Sequence, residues 1–163
     1  DGTLMLRDSV RLDSGSDTVT DCMSIVYPKK LSPVHFIKLE LNDANGNLLS
    51  DNFYWRSNKP GDYKALNTLS KAKLNVTSQL VNRTDHGDKK VIKATIKNVG
   101  SSVAFAVHVQ AVRSSDGERI LPALMNDNYF TLLKGESKDI EIEFDSELLP
   151  DDNYRLSVIP YNK

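Results

Sequence analysis

The chain has 163 residues, of which 39% are hydrophobic and 26% charged, and its formal net charge at pH 7 is −1. This length is below the ~200 residues that an eight-stranded β/α barrel needs, and the apolar content suffices for a packed core, which argues against disorder. Since basic residues form no run longer than the pairs Lys29-Lys30 and Lys89-Lys90, and no apolar run approaches the ~18 residues of a membrane span, we expect neither a nucleic-acid nor a membrane partner.

The first part of the chain contains four predicted strands, because apolar side chains there recur at every second position. Leu4 and Leu6 begin one such alternation, and Ile37 and Leu39 belong to another. Between the last two strands, Asn45-Gly46 is a strong hairpin signal. The predicted strands are 3–12, 19–27, 34–42 and 48–56.

Two features of this part could carry chemistry, and both have a structural explanation. Asp43, Asn45 and Asn47 offer the oxygens of a calcium loop, but Leu48 stands at the sixth position, where that loop needs glycine, and no Glu stands at the twelfth. A hairpin turn is therefore predicted. Cys22 is the single cysteine, so no internal disulfide can form, and its small and apolar neighbours predict an unreactive buried residue.

A connection is predicted over 59–71, where the alternation stops and a Pro-Gly pair marks a turn. Phe53, Tyr54 and Trp55 end the preceding strand, and Tyr63 follows within the connection. Exposed on one face, these aromatic side chains could stack on sugar rings. Partly buried, they would instead hold two domains together, with their polar tips reaching partners. We favour the second interpretation, since the cluster lies at the boundary and alternates between both faces of its strand.

After the connection, seven short strands follow within about 100 residues, which is typical of an immunoglobulin-like β-sandwich. Turn signals, among them Asp116-Gly117, fall between them. We therefore predict an all-β protein, with a terminal immunoglobulin-like antiparallel sandwich over 72–163. The predicted strands are 72–81, 91–98, 103–113, 119–125, 129–133, 137–144 and 153–160.

Residues 1–58 are predicted to form only the C-terminal part of a preceding sandwich, truncated in this chain. Four strands cannot supply two sheets that cover each other. An apolar sheet face around Leu4, Leu6, Ile37 and Leu39 and at least one unpaired strand edge would then be exposed. Self-association through this truncated sheet is the expected consequence.

Asp127 lies between two apolar runs, and this position suits either a catalytic carboxylate or a corner between two strands. Hydrolysis of a glycosidic bond usually needs a second carboxylate ~5–9.5 Å away, and no partner is evident in the sequence. The flanking Asn126 and Asn128 favour turns and local backbone hydrogen bonds. The sequence therefore predicts a corner.

The remaining polar signals are weak. His35, His86 and His108 are too isolated for a metal site, and neither a metal nor a cofactor is expected. Two short glycosylation patterns begin at Asn75 and Asn82 and indicate surface. A proline and a polar turn precede Tyr154, which is typical of a tyrosine corner, in which the hydroxyl bonds to upstream backbone.

Three segments together resemble the end of a family 2 glycoside hydrolase of the exo-β-glucosaminidase or β-mannosidase type: DANGNLLSDNFYWRS, DYKALNTL and ILPALMNDNYFTLLKGESKDIEIEF. In that family the penultimate immunoglobulin-like domain ends on an Asn-x-Tyr-Trp strand, which Asn52, Tyr54 and Trp55 match. Lys134 stands where the terminal domain usually has proline. The positions that match the terminal domain are Leu121, Pro122, Asp127, Asn128, Leu132, Gly135 and Glu136.

The resemblance implies that the chain, which begins at Asp1, is the last one and a half domains of a five-domain retaining exo-glycosidase, expected to be bacterial and periplasmic or secreted. The family's catalytic residues are glutamates of a β/α barrel, and its acid/base glutamate follows an asparagine. No Asn-Glu dipeptide occurs in the 163 residues. An accessory, non-catalytic role is therefore implied, with the parent's other domains as partners.

Seven residues are the expected contacts with those domains: Phe53, Tyr54, Trp55, Tyr63, Asp127, Asn128 and Tyr129. The alternative is an independent carbohydrate-binding or adhesion module. In that case Trp55, Tyr54 and Tyr129 would form the binding platform.

Overall fold

A computed structural model describes residues 1–83 and 87–163, and its regular structure is almost entirely antiparallel β-sheet. The chain divides into two compact units. One is Thr3–Leu66, and the other is Asn67–Lys163 together with Asp1–Gly2. His86 lies outside the described residues.

The first unit contains one hairpin, formed by β1 (Val34–Asn42) and β2 (Leu48–Ser57). Its turn is held by the carboxylate of Asp43, which accepts the backbone N–H groups of Asn45 and Asn47 at 2.8 Å each. The amide of Asn47 donates to the same carboxylate, and this bond contributes most to holding the pKa of Asp43 below its usual value. Gly46 supplies the left-handed conformation, with φ of 86°. The hairpin predicted at Asn45-Gly46 is confirmed.

The strands predicted at 3–12 and 19–27 are wrong. Residues 3–33, all of them described, contain no strand, and Leu4 and Val19 are 72% and 98% exposed. Local hydrogen bonds form in this segment instead: the Asp8 carboxylate accepts the N–H of Ser9, and the Thr18 hydroxyl donates to the carbonyl of Gly15. Such bonds compete with a sheet ladder. An alternation of apolar residues therefore does not make a strand by itself.

Cys22 lies in this irregular segment and is exposed, so its predicted burial is also wrong. The prediction rested on the small and apolar neighbours of this single cysteine. Because this segment forms no strand, it has no buried face, and Cys22 remains in contact with solvent.

In its described residues, the second unit contains seven strands in two antiparallel sheets. They are β3 (Leu74–Arg83), β4 (Lys89–Asn98), β5 (Ala104–Arg113), β6 (Ala123–Met125), β7 (Phe130–Leu132), β8 (Ser137–Asp145) and β9 (Tyr154–Ile159). One sheet has the order β3-β4-β8-β6 and the other the order β7-β5-β9. Four strands facing three is the division of an immunoglobulin-like sandwich, so the predicted fold class is confirmed.

The core of this sandwich follows from the period-two pattern. In β4 and β8, Ile92 lies opposite Ile142 and Ala94 lies opposite Ile140, and all four side chains are buried. Val109 of β5 belongs to the same core cluster. Each isoleucine that leaves water in this way contributes roughly 1.5–3 kcal/mol. The charged residues that alternate with them remain on the outer face.

The end of the predicted connection is part of the second unit. Ala72 donates its N–H to the carbonyl of Asn162 at 2.8 Å, and the amide of Asn162 donates to the carbonyl of Ser70 at 2.6 Å. A 3₁₀ turn over Lys64–Thr68 precedes these bonds, with Leu66 buried. Residues 70–72 are therefore held by the C-terminal end of the chain.

Tyr154 does not make the predicted tyrosine corner. Its hydroxyl forms a hydrogen bond of 3.0 Å with the Ser78 hydroxyl, on β3 of the opposite sheet, instead of bonding to upstream backbone. The ring packs against the core. The hydroxyl is thus part of an exposed side-chain contact between the edges of the two sheets.

Tyr154→Phe is expected to lower the free energy of unfolding by about 0.5 kcal/mol, since the bond is exposed and water can replace its partner. Ser78→Ala should cost about the same, and the double variant should cost no more than either single one. Urea denaturation followed by circular dichroism measures all three. Additive effects of the two substitutions would show that the hydroxyls do not interact.

Candidate functional site

The segment between β6 and β7 is the corner at which the chain crosses from one sheet to the other. Asn126 bonds to the sheet that the chain leaves: its Oδ1 accepts the N–H of Glu141 at 2.9 Å, and its amide donates to the carbonyl of Asp139 at 3.3 Å. Asn128 bonds to the sheet that the chain enters. Its Oδ1 accepts the N–H of Val109 at 2.9 Å, and its amide donates to the same residue's carbonyl at 3.0 Å.

The carboxylate of Asp127 is occupied within this corner. One oxygen accepts the N–H of Asn128 at 2.7 Å, and the other forms an ion pair with Lys138 of β8. The same ammonium lies 5.7 Å from the centroid of the Phe130 ring. Asp127 therefore stabilises the corner, as the sequence predicted.

Tyr129 is the most exposed aromatic side chain of the corner. Its backbone is left-handed, with φ of 58°, which is strained for a bulky residue. Asn128 Oδ1 also accepts the N–H of Tyr129, at 2.9 Å, which helps to hold this conformation. The ring is directed outward, 64% exposed.

One face of the Tyr129 ring is covered by His108. The two rings are parallel within 8°, and their centroids lie 4.6 Å apart. His108 lies on the outer face of β5, opposite Ile159 of β9, which is itself exposed. We call Tyr129, His108 and Ile159 the outer patch. It is an uncharged, partly aromatic surface on the three-stranded sheet.

Phe53, Tyr54 and Trp55 do not share one surface. In the hairpin register Trp55 lies opposite Phe36, and Phe53 packs on the same Phe36 with ring centroids 5.3 Å apart. Tyr54 lies opposite Ile37 and so projects from the other face. Tyr54 and Trp55 are 47% and 49% exposed. They therefore cannot stack on one sugar ring together.

Tyr63 lies outside this hairpin, just before the 3₁₀ turn. Its carbonyl accepts the N–H of Leu66 at 2.9 Å, and its side chain is partly exposed. The expected contacts of Phe53, Tyr54, Trp55, Tyr63, Asp127, Asn128 and Tyr129 with other domains stay predictions.

Two buried asparagines were not found from the sequence. Asn98 donates to the carbonyls of Ser102 and Leu132 at 2.8 and 3.0 Å and accepts the N–H of Gly100 at 3.0 Å. Asn162 donates to the carbonyl of Val103 at 2.8 Å and accepts the N–H of Phe105 at 3.0 Å. In the sequence, each is recognisable only as an asparagine at or just after the end of a strand. Asparagines in that position are also common in exposed turns, so the sequence does not show that these two are buried.

Within residues 1–83 and 87–163, no group of three or more His, Cys, Asp or Glu side chains could hold a metal ion. In the same part of the chain, no helix is long and apolar enough to cross a membrane.

Comparison with known proteins gives one family. Residues 52–163 match the family model described as the exo-β-D-glucosaminidase Ig-fold domain. An exo-β-D-glucosaminidase of Hypocrea virens is 31% identical over 132 residues, covering 69% of this chain and 15% of that protein. A mannosylglycoprotein endo-β-mannosidase of Lilium longiflorum is 28% identical over 176 residues, covering 72% of this chain and 18% of that protein.

The fold has a counterpart among solved structures. The exo-chitosanase CsxA of Amycolatopsis orientalis matches with a TM-score of 0.74 at 24% identity, covering 83% of this chain and 18% of that one. The chain thus spans a small part of each of these relatives.

Proposed function

We propose that this chain, which belongs to the exo-β-D-glucosaminidase Ig-fold domain family of family 2 glycoside hydrolases, is a non-catalytic accessory region of a retaining exo-glycosidase and supports its catalytic barrel. The parent would hydrolyse O-glycosidic bonds, as an exo-β-glucosaminidase or β-mannosidase type enzyme. Residues 72–163 would be its terminal sandwich, and 1–58 the C-terminal part of the preceding one, joined by 59–71.

The proposal rests on the hydrogen bonds and the ion pair of the corner at 126–129, whose polar side chains are occupied within the sandwich. Glycoside hydrolysis usually needs an acid and a nucleophile or base on two facing carboxylates. Asp127 instead pairs with Lys138 and accepts the N–H of Asn128. Each polar side chain from Asn126 to Asn128 bonds to groups of the sandwich itself, which supports a structural role and not a chemical one.

The outer patch supports docking against another domain. Tyr129 is held by its backbone and by stacking on His108, so little conformational freedom would be lost when a partner covers it. Tyrosine is favoured in interfaces because its ring is large and its hydroxyl can find a polar partner. The uncharged patch suits a partner domain of the same glycosidase.

The alternative function is an independent carbohydrate-binding module. The exposed ring of Tyr129 favours it, since one ring face is free of His108. Against it, Tyr54 and Trp55 project from opposite faces of their hairpin. Tyr54 and Trp55 could therefore not belong to the same sugar platform.

The chain alone is expected to release no nitrophenol from a nitrophenyl β-glucosaminide or β-mannoside, and to show no measurable affinity for glucosamine or mannose oligosaccharides by calorimetry. Turnover that survives purification and is lost in Asp127→Asn would contradict the non-catalytic role. Saturable oligosaccharide binding that is lost in a Tyr129 variant would favour the binding module.

The supporting role is tested by Tyr129→Asn, because asparagine tolerates the left-handed backbone and removes only the ring. In the isolated chain this change should leave the unfolding midpoint nearly unaltered. In the parent enzyme it should lower the midpoint. The matched control is Leu124→Asn, which alters an exposed apolar side chain on the other sheet and should affect neither protein. Equal behaviour of the two variants in the parent would contradict docking through the outer patch.

A further inference from the structure

A cavity of about 280 Å³ lies at one end of the β1–β2 hairpin, within the first unit. Its charged lining residues are Lys29 and Arg56, and neither Asp nor Glu is among the described residues that line it. Neither Lys29 nor Arg56 forms an ion pair with any group that the structure describes. The cavity therefore presents two cationic side chains without a counter-charge.

His35 provides a second, independent observation. Both of its ring nitrogens are buried, and neither has a hydrogen-bond partner among the described residues. Buried polar groups are nearly always hydrogen-bonded, so such a pair of nitrogens calls for a partner that the protein does not itself supply. The rings of Tyr27 and His35 meet edge to face, with centroids 5.4 Å apart and an angle of 69° between their planes. Both residues line the cavity.

The hairpin register places His35 and Arg56 together. The two residues lie directly opposite each other on β1 and β2, and the side chains of such a pair project from the same face of a sheet. The guanidinium offers several N–H donors in a planar fork, and the imidazole ring offers a further N–H. Lys29 adds an ammonium from the preceding turn.

We propose that this cavity binds a small oxyanion: the carboxylate or phosphate group of a small ligand. Arg56 would bind two oxygens of the anion through its planar fork, with Lys29 supplying charge and a ring N–H of His35 donating a further hydrogen bond. The volume is close to the lower end of the ~300–1,000 Å³ range of ligand pockets, which suits a ligand of about monosaccharide size. This site shares no residue with the outer patch and does not depend on the accessory role.

The test is NMR titration of the full chain at constant ionic strength, with sodium acetate, sodium phosphate and, as the reference anion, sodium chloride. We expect saturable shifts of the His35 ring and Arg56 side-chain resonances with acetate or phosphate. Saturation by acetate alone assigns a carboxylate ligand, and saturation by phosphate alone assigns a phosphate. Arg56→Gln should weaken this binding at least about 10-fold, the effect of losing one charge-assisted interaction.

Lys30→Gln is the matched control, because it removes the same charge next to Lys29 from a side chain that does not line the cavity. It should retain the affinity of the unaltered chain, and hairpin amide shifts verify that both variants fold. The proposal is overturned if neither anion gives saturable shifts, or if Lys30→Gln weakens binding as much as Arg56→Gln does.

Discussion

Asn98→Ala is expected to lower the free energy of unfolding of the second unit by about 3 kcal/mol, because two buried backbone carbonyls lose their hydrogen-bond donor where water cannot replace it. The side chain of Asn98 is fully buried. It bonds to the turn that follows β4 and to Leu132 of β7 on the opposite sheet. The substitution would thus remove a link between the two sheets as well as leaving unsatisfied groups.

Asn98→Asp should be at least as destabilising. The aspartate could still accept the N–H of Gly100, but it cannot donate to the two carbonyls, and its charge would be buried. The matched control is Asn75→Ala, an exposed asparagine on the edge strand β3, for which a change within about 0.5 kcal/mol is expected. Urea denaturation followed by circular dichroism measures the three variants. A cost for Asn98→Ala close to that of the control would contradict a structural role for the buried amide.

Much of the second unit could be predicted from its sequence because each strand alternates over a buried face. The strand predicted at 137–144 is β8 (Ser137–Asp145), and the one predicted at 103–113 is β5 (Ala104–Arg113). The family was predicted correctly as well, from motifs that fall within the matched residues 52–163. The alternating pattern and the family motifs both predict the same sandwich. The pattern holds in this unit because each strand has a neighbouring strand to pair with.

The same pattern failed at 3–12 and 19–27, where no neighbouring strand supplies a ladder. Alternation specifies which face of a strand is apolar, whereas strand formation also needs a partner to bond to the backbone. Local side-chain bonds, such as those of Asp8 and Thr18, occupy backbone groups there instead.

The candidate site was predicted in part. The corner role of Asp127 follows from its asparagine neighbours, but the stacking of Tyr129 on His108 joins the corner to β5, 21 positions earlier in the chain. Asn162 likewise bonds to backbone 57 and 59 positions upstream. Contacts of this kind depend on which strands become neighbours in the three-stranded sheet, which the period of a single strand does not contain.

The amides of the hairpin β1–β2 are expected to exchange with solvent at least about 100-fold faster than those of β4, since local opening free energies follow burial and hydrogen bonding. In Thr3–Leu66, the buried apolar side chains are Val34 and Leu66. A two-stranded hairpin with so little core is marginal in water. In contrast, β4 is paired on both sides, with β3 and β8, and buries Ile92 and Ile96 completely.

Protection of the hairpin amides from exchange could come from self-association or from the stability of Thr3–Leu66 itself. Its dependence on protein concentration distinguishes the two. Among the described residues β1 pairs with β2 alone, so each strand retains an edge that could pair with a second copy of the chain. If self-association occurs there, protection at Ile37 and Leu39 should rise with concentration, whereas protection at Ile92 and Ile96 should not. Hydrogen exchange by NMR at two concentrations measures both sets of amides. Equal and concentration-independent protection would mean that Thr3–Leu66 is stable as a small domain, because exchange would then require its cooperative unfolding, and self-association through the hairpin edge would be ruled out.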